Sequence, residues 1–253
     1  MKISVCGKGG SGKSSLVSLL ASEAQARGIR VLVVDSDESN SGLFRMLGFD
    51  QPPVPLMELA GGRLGLKEKL GQPAGILSET QIPLEKLPPQ YVVKSNGMML
   101  VAIGKILQAL EGCACPLGVL SREFLKKLSL KENELVIVDM EAGVEHFGRG
   151  IDTSIDSVLL IVEPSLESIT LAERVKSIAG GIGKNVWAVL NKIGSEKVAE
   201  KLRSEMDKRD IEVIGTIPND PAVFEACLEG KALNKGEAAR AAGGILDILL
   251  SKP

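Results

Sequence analysis

The residues with the clearest capacity for chemistry form a glycine-rich loop near the start of the chain, GKGGSGKS at positions 7–14. Its pattern of Gly, four residues and then Gly-Lys-Ser matches a phosphate-binding loop. Because the glycines lack side chains, backbone N–H groups can close around phosphate oxygens, and a helix that begins at the loop adds its positive dipole. The pattern predicts a Mg²⁺-nucleotide site formed by Gly7, Gly9, Gly10, Ser11, Gly12, Lys13, Ser14 and Ser15.

Two side chains of this loop have separate predicted roles. Lys13 is expected to contact the β- and γ-phosphates, and the hydroxyl of Ser14 is expected to ligate Mg²⁺. The surrounding sequence supports these roles, because residues 3–6 predict a buried strand and apolar side chains recur at helical spacing after Ser14. An ordinary glycine-rich turn is the alternative, and the complete motif between a strand and a helix makes it the weaker one.

Carboxylates stand where two further apolar segments end. Residues 30–35 and 134–139 each predict a buried strand, and the carboxyl ends of such strands are where open α/β sheets bind ligands. Asp139 suits a role in holding Mg²⁺ through water, and the later Gly143 would let the backbone approach the γ-phosphate. Asp35 and Asp37 suit the binding of metal-bound water or its activation, although an Asp-rich helix cap explains either acid alone equally well.

These candidate residues need elements that bring them together. Strands alternate with helices along the chain, which predicts a single α/β domain over residues 1–253, a P-loop NTPase fold with a mostly parallel sheet and helices on both faces. Further strands are predicted at 157–163, 185–191 and 212–217, and helices at 117–130, 167–179, 196–208, 221–228 and 237–250.

The alternation breaks in an irregular, proline-rich segment at about residues 51–90. A short helix is predicted at 64–70, and a strand, an Asn-Gly turn and a second strand follow at 91–103. Irregular stretches of this length are usually functional or mobile, and a surface insertion without a specific role is the alternative.

Composition excludes several classes of function. A net charge of −2 gives no basic field for nucleic acid, and 3% aromatic residues leave little for base stacking. No apolar run is long enough to span a bilayer, and the first strand begins too early to leave room for a signal peptide. We therefore expect a cytoplasmic protein that binds neither nucleic acid nor membrane.

Four cysteines occur, of which Cys113 and Cys115 form a Cys-x-Cys pair before Pro116. One chain supplies two thiolates there, whereas structural zinc takes four ligands, which two copies on a twofold axis would supply. Thiolates suit zinc, copper(I) or an iron–sulfur cluster, and Ni²⁺ favours a square plane. Two incidental reduced thiols are the alternative, which the spacing alone favours. Cys6 and Cys227 are predicted to be core thiols.

Asn191 and Lys192 follow the strand predicted at 185–191. An Asn amide there offers a donor and an acceptor to a base edge, and a turn-forming Asn is the alternative.

With its second lysine, Lys8, the loop resembles the deviant Walker A loop of the MinD/ParA/nitrogenase iron protein class of ATPases. The resemblance implies that ATP or ADP is the nucleotide and that Lys8 crosses a dimer interface to the partner's nucleotide. A solvated surface lysine is the alternative. It also implies a catalytic Asp37 in switch I, a structural Asp35 and a switch II after Asp139. Contacts to adenine are implied for Asn191, Lys192 and Pro218.

Three other segments resemble the CooC-type ATPases, the nickel-insertion accessory proteins of carbon monoxide dehydrogenase: GKI at 104–106, EGCACP at 111–116 and DMEAGVEHFGRG at 139–150. The resemblance covers essentially the whole chain. It implies that Cys113 and Cys115 bind Ni²⁺ or Zn²⁺ between two protomers, that ATP drives homodimerisation, and that the client is a nickel enzyme such as carbon monoxide dehydrogenase. Position 38 is a glutamate, where many members of the resembled family have proline. His146, near switch II, is expected to be a structural or signalling residue rather than a ligand.

Two other functions make different demands on the sequence. A MinD/ParA-type positioning or partition ATPase would need a basic amphipathic tail or a basic patch, and residues 238–253 contain few basic side chains. An iron-protein-like reductase would need another cysteine near switch II, and residues 140–150 contain none. The sequence therefore favours an ATP-hydrolysing metallochaperone.

Overall fold

The computed structural model describes residues 1–38, 41–69, 75–105, 115–142 and 154–252, with the backbone alone at Cys115. The strands are β1 (Lys2–Gly7), β2 (Arg30–Ser36), β3 (Ile82–Pro83), β4 (Val93–Ser95), β5 (Met98–Ala102), β6 (Leu128–Ser129), β7 (Glu134–Met140), β8 (Ser157–Val162), β9 (Asn185–Ile193) and β10 (Glu212–Pro218). The helices are α1 (Lys13–Ala26), α2 (Leu43–Met46), α3 (Gly62–Lys69), α4 (Cys115–Lys127), α5 (Leu166–Gly181), α6 (Glu196–Asp207), α7 (Pro221–Glu229) and α8 (Glu237–Ser251).

Eight of the strands form one sheet in the order β10-β9-β8-β1-β7-β2-β5-β4. Every neighbouring pair in it is parallel except β4 and β5, which form an antiparallel hairpin across the turn Asn96-Gly97. Both turn residues have positive φ, 47° and 87°, as the tight Asn-Gly turn requires. The mostly parallel sheet predicted from the sequence is confirmed.

Helices cover both faces of the sheet, so its central strands are apolar on both sides. In β2, Val31 and Val33 pack with the side chains of α1, α2 and α8, whereas Leu32 and Val34 face the core beneath α3, α4, α5 and α6. None of the described helices is both long and apolar enough to cross a membrane.

The proline-rich segment contains more structure than its irregular sequence indicates. Short 3₁₀ helices span Leu56–Ala60, Leu84–Lys86 and Pro89–Tyr91. Here β3 pairs with β6 in a separate parallel sheet of two strands. The predicted extension of a helix to residue 130 is therefore wrong, because Leu128 and Ser129 leave α4 to form this ladder.

One thiol prediction also needs correction. Cys6 is buried in β1, as expected, whereas Cys227 is only half-buried on α7. The apolar residues of α7 predict a helix with a core face, yet none of its nine residues, all of which the structure describes, is fully buried. Periodicity alone does not show how closely a helix approaches the sheet.

Candidate nucleotide site

The glycine-rich loop joins β1 to α1 at the carboxyl edge of the sheet. Gly12 immediately precedes α1 in the left-handed region, with φ 97°, and a Cβ there would lie 2.3 Å from Nδ2 of Asn191. Glycine is therefore required at this position both by its backbone angles and by its surroundings. Among the described side chains none caps the N-terminus of α1, so its first N–H groups are available to an anion.

Lys13 and Ser14 occupy the first turn of α1. Lys13 is buried, and its Nζ donates to the carbonyl oxygen of Lys8 at 3.2 Å, which folds its side chain back over the loop. The Ser14 hydroxyl donates to Oδ2 of Asp139 at 2.5 Å. The other oxygen, Oδ1, is buried and has no hydrogen-bond partner in the part of the chain that the structure describes. Oxygen donors of this kind are what Mg²⁺ prefers, so the pair fits that ion.

The strand order brings Asp35 and Asp139 side by side. They are partners in the register of β2 and β7, while Val5 of β1 lies opposite Asp139 on its other side. Asp35 and Asp37 are 5% and 7% exposed, and Asp139 is 0% exposed. Three buried carboxyl groups thus lie at this edge of the sheet, Asp35 and Asp139 on neighbouring strands and Asp37 just beyond the end of β2.

Burial and mutual repulsion raise the pKa values of two of these acids. Burial raises the pKa of Asp139 to about 7, opposed by the Ser14 hydrogen bond and strengthened by the nearby charges of Asp35 and Asp37. Burial also raises the pKa of Asp35 to about 6, opposed by the ammonium of Lys105. The site therefore favours additional positive charge, and a divalent cation beside the phosphates would supply it.

Lys8 does not contact the carboxylates of its own site. Its Nζ lies 2.9 Å from Oε1 of Glu163, the residue that follows β8. Nζ of Lys192 lies 3.2 Å from the other oxygen, Oε2, and also donates to the carbonyl of Gly10. Glu163 therefore joins two lysines at the rim of the loop.

The residues predicted to contact adenine lie at the ends of β9 and β10. Asn191 donates through Nδ2 to the carbonyl of Ser11 at 2.7 Å, so here its amide holds the loop. Pro218 lies opposite Ile193, and the next residue, Asn219, donates its N–H to the Ile193 carbonyl. The ends of both strands thus border the loop, and contact with adenine stays a prediction.

Two predicted site residues, Gly143 and Cys113, lie outside the described residues. His146, which was not expected to be a ligand, lies outside them as well. Cys115 is the first residue of α4. Within the described ranges, no three His, Cys, Asp or Glu side chains are grouped as a metal site requires.

Sequence reasoning did not assign a site role to Lys105 or Glu163. Nζ of Lys105 lies 2.7 Å from Oδ2 of Asp35 and donates to the carbonyl of Asp37 at 2.5 Å. The available signal was positional, because Lys105 comes just after one predicted strand and Glu163 is the last residue of another.

The family model of the CobQ/CobB/MinD/ParA nucleotide binding domain matches residues 3–233. The chain belongs to this family. It is therefore a MinD/ParA-family ATPase, in agreement with the loop and the acids beside it.

Relatives from several organisms match this ATPase over most of its length. An uncharacterised ATP-binding protein of Methanocaldococcus jannaschii is 45% identical over 238 residues, covering 92% of this chain and 94% of the relative. The carbon monoxide dehydrogenase accessory protein CooC of Rhodospirillum rubrum is 33% identical over 234 residues, covering 89% of this chain and 86% of the relative.

Solved structures of MinD proteins share the fold of this ATPase. The MinD cell division protein of Aquifex aeolicus superposes with a TM-score of 0.70 at 20% identity, covering 100% of this chain and 97% of that chain. MinD from Pyrococcus horikoshii OT3, solved with Mg-ADP, superposes with a TM-score of 0.71 at 20% identity, covering 98% of this chain and 95% of that chain.

Proposed function

We propose that this ATPase is a metallochaperone that uses ATP binding and hydrolysis to insert nickel into carbon monoxide dehydrogenase or a related nickel enzyme. The observation that carries the proposal is the contact between the acidic end of β2 and the helix that begins at Cys115. The identity of 33% to CooC over most of both chains supports it independently.

The contact has two parts. The Ser36 hydroxyl, at the end of β2, donates to Oγ of Ser121 in α4 at 3.1 Å. Gly104, after β5, packs so closely on α4 that a Cβ there would lie 2.6 Å from Cδ2 of Leu117. Because packed interiors transmit displacement, a change at the carboxyl end of β2 would be felt in the first turns of α4. This is the route by which the nucleotide site would act on the cysteine pair.

ATP hydrolysis would use the residues that surround the loop. Lys13 and the N–H groups of α1 would bind the phosphates, and Ser14 with Asp139 would hold Mg²⁺, which neutralises phosphate charge when it is bound. Asp37 would orient the attacking water and accept its proton. Lys8 would reach the nucleotide of a second copy of the chain and neutralise developing charge there, as an arginine finger does.

The cargo metal would bind Cys113 and Cys115 as thiolates. One chain supplies two such ligands, and a homodimer supplies four, which is the number that a thiolate site for Zn²⁺ or a square-planar Ni²⁺ requires. Dimerisation would thus complete the metal site, and hydrolysis followed by dissociation would open it for transfer to the client.

Metal stoichiometry tests this proposal. In equilibrium dialysis against Ni²⁺ and Zn²⁺, with light scattering for size, binding should saturate at about one metal per two chains. Metal should promote dimerisation, because it binds the assembled site. The double variant Cys113→Ser/Cys115→Ser should lose most of the affinity. Cys227→Ser is the matched control, since it removes a half-buried thiol elsewhere, and should bind normally. One tight metal per chain, undiminished in the double variant, would contradict the shared site.

The fold similarity to MinD keeps a positioning ATPase as the second candidate. One structural feature weighs against a version that binds membranes through α8. The apolar side chains Ile245, Leu246 and Leu249 are buried in the core that α8 shares with α1. Sedimentation with anionic vesicles in the presence of ATP distinguishes the two, because the metallochaperone should stay in the supernatant.

A further inference from the structure

Lys105 forms a clamp on the backbone of Asp37. Its Nζ forms an ion pair with Oδ2 of Asp35 at 2.7 Å and donates to the carbonyl oxygen of Asp37 at 2.5 Å. The N–H of Asp37 in turn donates to Oδ1 of Asp35 at 3.3 Å. Both the N–H and the carbonyl of Asp37 are therefore held, one by Asp35 directly and the other by the lysine that Asp35 binds.

The ion pair of this clamp lies in a largely buried environment. The side chains of Lys105 and Asp35 are 14% and 7% exposed, so water screens their ion pair weakly. The charge of Asp37 raises the pKa of Asp35, and the charges of Asp35 and Asp37 together raise the pKa of Asp139. An ammonium group has three donors, so Lys105 can satisfy the ion pair and the carbonyl at the same time.

We propose that Lys105 is a positioning residue for ATP hydrolysis, which fixes the main chain of Asp37 so that its carboxylate is aimed at the attacking water. The proposal rests on the catalytic role proposed above for Asp37. Displacements of about 1 Å at such a group can reduce turnover by about 100-fold, because the bound reactants no longer meet in a productive geometry.

The chain contains a matched control for this lysine. Nζ of Lys127, in α4, also donates to a backbone carbonyl, that of Leu77 at 2.5 Å, and forms an ion pair with Glu123 at 2.7 Å. Its side chain is 19% exposed, close to the value for Lys105. Lys127 thus makes the same two kinds of contact away from the nucleotide loop, and its loss should affect stability without affecting hydrolysis.

The test compares steady-state ATP hydrolysis and thermal unfolding of Lys105→Met and Lys127→Met. We expect kcat of Lys105→Met to fall by about 30- to 100-fold while KM for ATP changes by less than about threefold. Lys127→Met should lower Tm and leave kcat within about twofold of the parent. Lys105→Arg, which keeps the charge and the donors, should recover part of the lost kcat.

A double variant separates positioning from charge balance. Asp35→Asn/Lys105→Met removes both charges of the ion pair, so it should recover stability relative to Lys105→Met but not kcat. Recovery of kcat in the double variant, or parental kcat in Lys105→Met, would overturn the proposal.

The variant Asp37→Asn distinguishes failure of the positioning role of Lys105 from failure of the catalytic role of Asp37. If Asp37→Asn is inactive and Lys105→Met is normal, the positioning role alone fails, whereas parental turnover in Asp37→Asn removes the catalytic assignment on which it rests.

Discussion

The ammonium group of Lys8 lies 2.9 Å from a carboxylate oxygen of Glu163 in the same chain. Burial by itself would raise the pKa of Glu163, but the hydrogen bonds from Lys8 and Lys192 outweigh it and hold that pKa below its usual value. The contact therefore persists at neutral pH. If Lys8 acts on the nucleotide of a second copy, the contact with Glu163 competes with the contact that Lys8 makes across the dimer interface.

Removing this competition should strengthen the dimer. Glu163→Gln withdraws the charge that holds Lys8, so ATP-dependent dimerisation should tighten by a few-fold in sedimentation velocity. Glu167→Gln is the matched control, because its carboxylate is 4.0 Å from Lys8 and its side chain is 71% exposed. ADP affinity should be measured alongside, since Glu163 also contacts Lys192. A weaker dimer with normal ADP affinity would argue against the competition.

Action of Lys8 in trans can be tested by complementation. Lys8→Ala should bind ATP but hydrolyse it slowly, and Asp37→Asn should do the same for a different reason. A mixed dimer has one site in which an intact Asp37 meets an intact Lys8, so each mixed dimer should reach up to about half of the parental rate. Random mixing at equal concentrations makes about half of the dimers mixed, so the mixture should recover up to about a quarter of the parental rate. No recovery, in samples where mass photometry of size-tagged chains shows mixed dimers, would place Lys8 in cis.

Lys13 should be essential for hydrolysis. Its buried side chain folds over the loop, and Lys13→Ala removes the positive charge that compensates the β- and γ-phosphates. Turnover should fall to background in a coupled phosphate-release assay, while circular dichroism shows a retained fold. Normal turnover in a folded variant would mean that the loop is not the catalytic site.

Binding of Mg-nucleotide should depend on pH through Asp139. Its pKa of about 7 means that the free protein carries a proton there in weakly acidic solution. Mg²⁺ favours the carboxylate, so binding should release this proton, and affinity should fall by up to about tenfold per pH unit below 7 and level off above it. Calorimetry in two buffers of different ionisation enthalpy measures the proton. Asp139→Asn should bind weakly at every pH, and proton release unchanged in that variant would assign the titration to another group.

The chemistry of the phosphate loop was determined by the sequence, because it depends on residues that are neighbours in the chain. Gly12, Lys13 and Ser14 are consecutive, so a glycine that permits φ 97° places the lysine and the hydroxyl in the first turn of α1. The continuous apolar segments of β2 and β7 likewise predicted a buried parallel sheet, and with it the presence of Asp35 and Asp139 at one edge.

The partners of these side chains were decided only by the tertiary structure. Lys105 is 68 positions from Asp37, and Glu163 is 155 positions from Lys8. Their contacts arise because β5 lies beside β2 and β8 beside β1, an order that hydrophobic periodicity does not encode. The same reason explains β6, where Leu128 and Ser129 continue a helical pattern but pair with a strand about 45 residues earlier. Local sequence specifies local backbone, whereas long-range ion pairs and ladders depend on which elements become neighbours when the core is buried.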